Sequence, residues 1–328
     1  MTLSLFLHLP TLHEEVSCEY KDYKEAIHIP GCLPIHGNDL PEHLQDRSSL
    51  SYELILERCK RFSLAHGFLV NSFSEIEGER VSTLVKIGKK PIYLVGPVIQ
   101  TGASIELNKA ECMKWLEIQR PKSVLYVSFG SGGTLSEEQV NELAFGLESS
   151  GQKFLWVFRA PNVSANALYL STSNDDPLQF LPDGFLERTK GQGLVVPNWA
   201  PQTQILSHKS IGGFLTHCGW NSTLESIVLG VPMITWPLFA EQRMNAVLLT
   251  KGLKVALRPK FNDNDIAEKK EIAEVIKELM LGEEGHGISQ RIEELKYVAL
   301  SALKEDGSST RALSQFITDI ENFLRHKV

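Results

Sequence analysis

From Val124 onward, short β-rich runs alternate with amphipathic helical stretches, and this alternation leaves few folds open to the chain. Strands joined by crossover helices pair in parallel, and a parallel sheet needs helices on both faces. The runs 124–129, 154–158, 194–196, 213–216, 233–236 and 254–257 predict six such strands. Helices are expected at 136–149, 202–207, 222–229 and 241–251, followed by three more near 266–281, 288–303 and 310–325. Together these make one complete α/β, doubly wound, Rossmann-like domain. Ser136 with Gln139 reads as a capping box, and Gly282 and Gly307 stand where helices should stop. The stretch 162–176, rich in Ser, Asn and Ala, reads as a surface loop.

The first 95 residues follow a different pattern. Breaks at Pro and Gly leave one helix near 52–65 and two strands, 67–70 and 92–95, which are too few elements to close a core. Residues 1–95 are therefore expected to be the last part of a domain whose beginning is absent, with 96–120 as linker and 121–307 as the complete domain. The helix in 308–328 is expected to pack back towards the first part through Leu313, Phe316, Ile317, Ile320 and Phe323.

Composition removes whole classes of function. Of the 328 residues 42% are apolar and 22% charged, which excludes disordered, collagenous and coiled-coil chains. A net charge of −7 argues against a nucleic-acid binder or a membrane binder working through a general basic field, so an anionic ligand has to be held by local geometry. The apolar stretch 3–9, interrupted by His8, fits neither a signal peptide nor a membrane span. Five scattered cysteines without a C-x-x-C pair suggest free thiols and a cytoplasmic setting. The sequons at Asn162 and Asn221 then read as chance matches.

Two strand-to-helix loops carry chemistry. In Ser128-Phe129-Gly130-Ser131-Gly132-Gly133-Thr134 the glycines let backbone N–H groups approach an anion, and Ser131 or Thr134 can add a hydroxyl. The same glycines also suit a turn that serves packing alone. A nicotinamide-binding loop fits poorly: the sixth position of the fingerprint is Leu135, and the next strand ends at Arg159 without the ribose-binding acid. The second loop, Thr216-His217-Cys218-Gly219-Trp220-Asn221-Ser222, runs into a helix whose first N–H groups and side chains converge on one point. Each such contact contributes only about 0.3–1 kcal/mol when exposed, so several are needed to hold a diphosphate. Glu225, three residues past Ser222 on the same helical face, can accept two hydrogen bonds from a ribose diol.

The 44 residues from Trp199 to Gln242, WAPQTQILSHKSIGGFLTHCGWNSTLESIVLGVPMITWPLFAEQ, resemble the donor box of plant secondary-product UDP-glycosyltransferases. The likeness extends over the chain through VNSFSEIE, YLVGPVIQ, SVLYVSFGSGGTLS and FLPDGFLERTKGQG, and it is strongest for the branch that glucosylates hydroquinone, monolignols and anthocyanidins. It implies the GT-B fold and inverting, metal-independent O-glucosylation of a phenolic acceptor by UDP-glucose, which is a co-substrate rather than a cofactor. Carried across by position, Trp199 would stack on uracil and the backbone of Ala200 would bind the base edge. Gln202 and Glu225 would hold the ribose, and Ser131, His217, Asn221 and Ser222 the diphosphate. Trp220 would shape the sugar pocket, with Glu241 and Gln242 binding sugar hydroxyls. The diphosphate would then rest on two helix N-termini, His217 and backbone amides.

The resemblance also implies a catalytic His oriented by an Asp, both matching points upstream of Met1; none of His8, His13, His28, His36 and His43 sits in that pattern. An alternative expectation is therefore a nucleotide-sugar-binding module without turnover. Asp263-Asn264-Asp265 is formally a metal-binding D-x-D, but its place directly before Ile266 reads as helix capping. A monomer without a nucleic-acid or membrane partner is expected.

Overall fold

The computed structural model describes residues 1–88, 90–100, 109–161 and 176–325. Residues 162–175 of the expected loop, with Asn162, and residues 101–108 of the expected linker lie outside the described residues. In chain order the elements are α1 Thr2–Glu15, α2 Leu50–Arg61, β1 Phe68–Val70, α3 Ser74–Gly88, β2 Ile92–Leu94, α4 Lys109–Glu117, β3 Val124–Ser128, α5 Glu137–Ser150 and β4 Lys153–Phe158. They continue with α6 Phe185–Arg188, β5 Gly193–Pro197, α7 Gln202–Leu206, β6 Ile211–Thr216, α8 Trp220–Leu229, β7 Met233–Thr235, α9 Gln242–Val247 and β8 Ala256–Leu257. The chain ends in α10 Lys269–Leu281, α11 Glu283–Ala302 and α12 Ser308–Arg325.

The six later strands form one sheet in the order β5-β4-β3-β6-β7-β8, every pairing parallel. β3 shows why its sequence is a near-continuous apolar run. Side chains alternate between faces along a strand, and here both faces are buried. Val124 and Tyr126 pack on one side with Leu224, Ile227 and Ile292 from α8 and α11. Leu125 and Val127 pack on the other with Val140, Leu143 and Ile276 from α5 and α10.

The capping box at α5 is only half formed. The Ser136 hydroxyl accepts from Gln139 N–H at 3.2 Å, but the Gln139 carboxamide reaches instead to Ala267, donating to its carbonyl and accepting from its N–H, both at 2.9 Å. Buried pairing with a distant segment has displaced the local reciprocal bond. The expected capping by Asp263 and Asp265 is also corrected. Asn262 Oδ1 accepts from the N–H groups of Asn264 and Ile266, closing a turn in which Asp265 is left-handed (φ 58°), and α10 starts later, at Lys269.

The N-terminal part holds more structure than its breaks suggest. α1 continues through Pro10, and Leu5, Leu9 and Leu12 are buried along one helical face. With Tyr20, Ile27, Leu40, Leu44, Tyr52 and Leu56 they close a core, which Met244 and Leu248 join from α9 and the π-helical turn Leu248–Gly252 that follows it. α1, with Pro10 inside it, is not among the expected elements, because a proline within a helical run argues against a continuous helix. Nor are α3, whose interior carries Gly78, and α4, which lies within the expected linker. β1 and β2 pair in parallel as a separate two-stranded sheet. α12 returns over β2: Tyr93 donates to Asp319 Oδ2 at 2.6 Å, and the rings of Phe316 and Tyr93 meet edge to face at 5.2 Å. Leu313, Ile317, Ile320 and Phe323 nonetheless remain exposed.

Candidate functional site

The strand order reverses between β3 and β6, whose chain connections leave the sheet in opposite directions. Such a switch point opens a crevice beyond the carboxyl ends of the strands. Here a cavity of about 390 Å³ occupies it, lined by the loops after β3, β4, β5 and β6. Nine of the eleven residues proposed from sequence line it: Ser131, Trp199, Ala200, Gln202, His217, Trp220, Asn221, Ser222 and Glu225.

His217 lines it and is almost wholly buried. A Cβ at Gly130 would stand 2.5 Å from the imidazole, and one at Gly219 would stand 2.4 Å from Nε2, so both glycine loops pack directly against the ring. These glycines do more than open a path to an anion, because they leave the space the imidazole fills. Burial, together with the positive charge of Arg159, lowers the His217 pKa to about 4. The ring is neutral at pH 7, and its Nδ1 has no hydrogen-bond partner within the protein. A neutral imidazole keeps one N–H to donate. The turn behind it is held in an unusual shape: Cys218 is left-handed (φ 65°), its N–H donates to Thr216 Oγ1, and Asn245 Nδ2 donates to its carbonyl.

α8 begins immediately after Gly219, so the N–H groups of its first turn have no partner within the helix and open onto the cavity. α5 differs from expectation in this respect. It starts at Glu137, and its first turn does not line the cavity; Gln202 and Thr203 of the short α7 do. Of the two helix N-termini expected at the diphosphate, that of α8 lies at the cavity and that of α5 does not.

Gln202 is the hub of the polar wall. Its Nε2 donates to Ser222 Oγ at 2.8 Å and Glu225 Oε2 at 2.7 Å, and Tyr126, on β3, donates its hydroxyl to Gln202 Oε1 at 3.5 Å. Glu225 is buried, and Gln202 fixes one of its carboxylate oxygens. Trp199 is 43% exposed, which excludes a role in the core and leaves its ring face available. Trp220 is anchored from outside the domain, because its Nε1 donates to the Asn71 carbonyl at the end of β1 at 2.6 Å.

Glu241 and Gln242 stand apart from the other nine. Glu241 lines a second cavity, of about 370 Å³, bounded by Phe6, Phe62, Phe68 and Val70, and Trp220 is the wall shared by the two. Gln242 is buried, and its Oε1 accepts from the N–H groups of Leu238 and Phe239, so it closes the turn after β7. Conversely, Arg159, Tyr126, Ser128 and Asn198 line the first cavity without having been proposed as site residues. Arg159 was legible by position, as the residue directly after an apolar strand beside the switch point. Among the described residues no cluster of three or more His, Cys, Asp or Glu could hold a metal ion.

The fold is a doubly wound α/β domain with a cavity at its topological switch point. The family description "UDP-glucoronosyl and UDP-glucosyl transferase" matches residues 102–284. Hydroquinone glucosyltransferase from Rauvolfia serpentina is 54% identical over 326 residues, covering 98% of this chain and 69% of that protein. UDP-glycosyltransferase 72B1 from Arabidopsis thaliana is 53% identical, covering 95% and 66%. The structure of Phytolacca americana UGT2 complexed with UDP-2fluoro-glucose and pterostilbene superposes with a TM-score of 0.89 at 50% identity, over 97% of this chain and 68% of that one. The chain belongs to the plant UDP-glycosyltransferase family and has the GT-B type of fold. It spans about two thirds of the length of the curated relatives it matches.

Proposed function

We propose that the cavity at the β3–β6 switch point binds the UDP of a UDP-sugar, and that the chain belongs to an inverting, metal-independent O-glucosyltransferase acting on a phenolic small molecule. One observation carries this: an exposed indole, a fixed carboxylate, a neutral buried imidazole and the first turn of α8 converge on one cavity. Trp199 stacks on the base, a contact of about 1–3 kcal/mol, beside the backbone of Ala200. Gln202 and Glu225 hold the ribose. His217, Asn221, Ser222 and Ser131 donate to the diphosphate, which gathers charge as the glycosidic bond breaks, so these donors act most strongly in the transition state.

Trp220 divides the donor cavity from the second, apolar cavity, where the aromatic acceptor lies with Glu241 near the sugar. Gln242 keeps the turn that presents Glu241. The relatives support this pairing: the Phytolacca structure is named for UDP-2fluoro-glucose with pterostilbene, and the Rauvolfia relative for hydroquinone. Among the described residues the two cavities have no histidine other than His217, whose low pKa disfavours it as the acceptor's base. We place the protein in the cytosol, in keeping with five cysteines that form no disulfide among the described residues, and take it to act as a monomer.

The test is to titrate the chain with UDP-glucose and then to incubate it with UDP-glucose and hydroquinone, following glucoside and UDP. Binding with product supports the transferase. Binding without product leaves a nucleotide-sugar-binding module, and no binding rejects both.

A further inference from the structure

The donor cavity lies in a protein of net charge −7, and its ligand would bring more negative charge. Among its described lining residues, Arg159 is the only lysine or arginine. It follows the last residue of β4 and is half-buried. Its Nε donates to the Asn198 carbonyl at 2.9 Å, and its NH1 donates to the Ser131 carbonyl. Those carbonyls belong to different loops. Ser131 lies on the glycine loop after β3; Asn198 directly precedes Trp199 on the loop after β5. Asn198 is itself left-handed (φ 63°), and its N–H is fixed to the Phe158 carbonyl at 2.7 Å.

We propose that Arg159 is a positioning residue for the nucleotide. Its guanidinium joins the loop that meets the diphosphate to the loop that carries the base-stacking indole, and so sets the distance between the two subsites. This inference rests on the donor-site assignment above. A planar guanidinium presents several N–H donors in a fixed fork, so one side chain can span two carbonyls, whereas a lysine offers a single compact ammonium. The same group brings positive charge beside His217 and favours its neutral, donating form. The glycine loop, the imidazole and the indole segment thus share one anchor.

A ligand that occupies one subsite is insensitive to their separation, and a ligand that spans both is not. The experiment is calorimetric titration of the wild-type chain, R159Q and R159K with uridine and with UDP. For R159Q the expected result is a loss of about tenfold or more in UDP affinity, the equivalent of one charged hydrogen bond. Uridine should change by less than about threefold on the same scale. R159K keeps the charge without the fork and should recover only part of the loss. It also keeps the question open to measurement if R159Q fails to fold.

Equal losses for uridine and UDP, or full recovery in R159K, would overturn the spacing role. Unchanged UDP affinity in R159Q beside a wild type that binds UDP overturns the inference while leaving the donor site intact. A wild type that does not bind UDP removes the donor site itself.

Discussion

The two parallel sheets of this molecule are built on unequal terms. In the six-stranded sheet, Val124, Leu125, Tyr126 and Val127 of the central strand are almost fully excluded from solvent, with helices on both sides. In the two-stranded sheet Leu69 is 48% exposed, and Ile317 and Leu324 of the overlying α12 are exposed as well. Parallel strands are stable when both faces are covered, and the larger sheet meets that condition where the smaller meets it only in part. The chemistry follows the same division. The switch-point cavity is assembled almost wholly from loops of the larger sheet, whereas the smaller unit contributes the Asn71 carbonyl and one side of the second cavity.

The sharpest way to break this contrast is to cut into the large sheet. Phe214 on β6 is fully buried and stacks on Tyr126 at a centroid distance of 5.0 Å. Phe214→Ala should cost about 3–5 kcal/mol in urea unfolding. Next comes pH. His217 has a pKa of about 4 in the folded protein against 6.5 when exposed. Between those values the unfolded chain takes up a proton that the folded one refuses, so stability falls as pH drops from about 6.5 to 4 and does not change through this group above that window. The loss amounts to about 3 kcal/mol. H217Q should show a correspondingly shallower fall; an identical pH profile for the two proteins would mean that the ring titrates normally.

Smaller effects belong to the N-terminal core. The Tyr52 hydroxyl contacts His13 Nδ1 at 2.8 Å and the Tyr20 hydroxyl at 2.9 Å. Tyr52→Phe removes both contacts and should cost about 1–2 kcal/mol by denaturant midpoint. Ile317→Ser on the exposed face of α12 should stay within about 0.5 kcal/mol. A cost comparable to that of Phe214→Ala would show that this face is covered in solution and erase the contrast between the sheets.

Legibility in sequence divides along the same line. The inner strands of the large sheet were readable as apolar runs because both of their faces are buried, as along β3, whereas the edge strand β5 is only partly covered; the observed strand ends differ from expectation by no more than two residues. α1 was hidden by Pro10, although Leu5, Leu9 and Leu12 carry helical spacing. Eight of the nine cavity-lining residues were readable because they cluster along the chain from Trp199 to Glu225, and Ser131 was readable from the glycine loop that holds it. Arg159 lies 40 positions before Trp199, and sequence distance conceals a bridge made across two loops. The separation of Glu241 and Gln242 from the other site residues arises from the path of the chain after β7, which carries them past Trp220. No spacing pattern encodes that path.

The central claim is that the switch-point cavity is a UDP site with Trp199 as its stacking face. Calorimetric titration of the wild-type chain and of Trp199→Ala with UDP tests it most directly. The account predicts saturable one-to-one binding by the wild type, weakened by at least about tenfold in Trp199→Ala through loss of base stacking. Wild-type protein that binds no UDP, or a Trp199→Ala variant that binds it equally well, would contradict it.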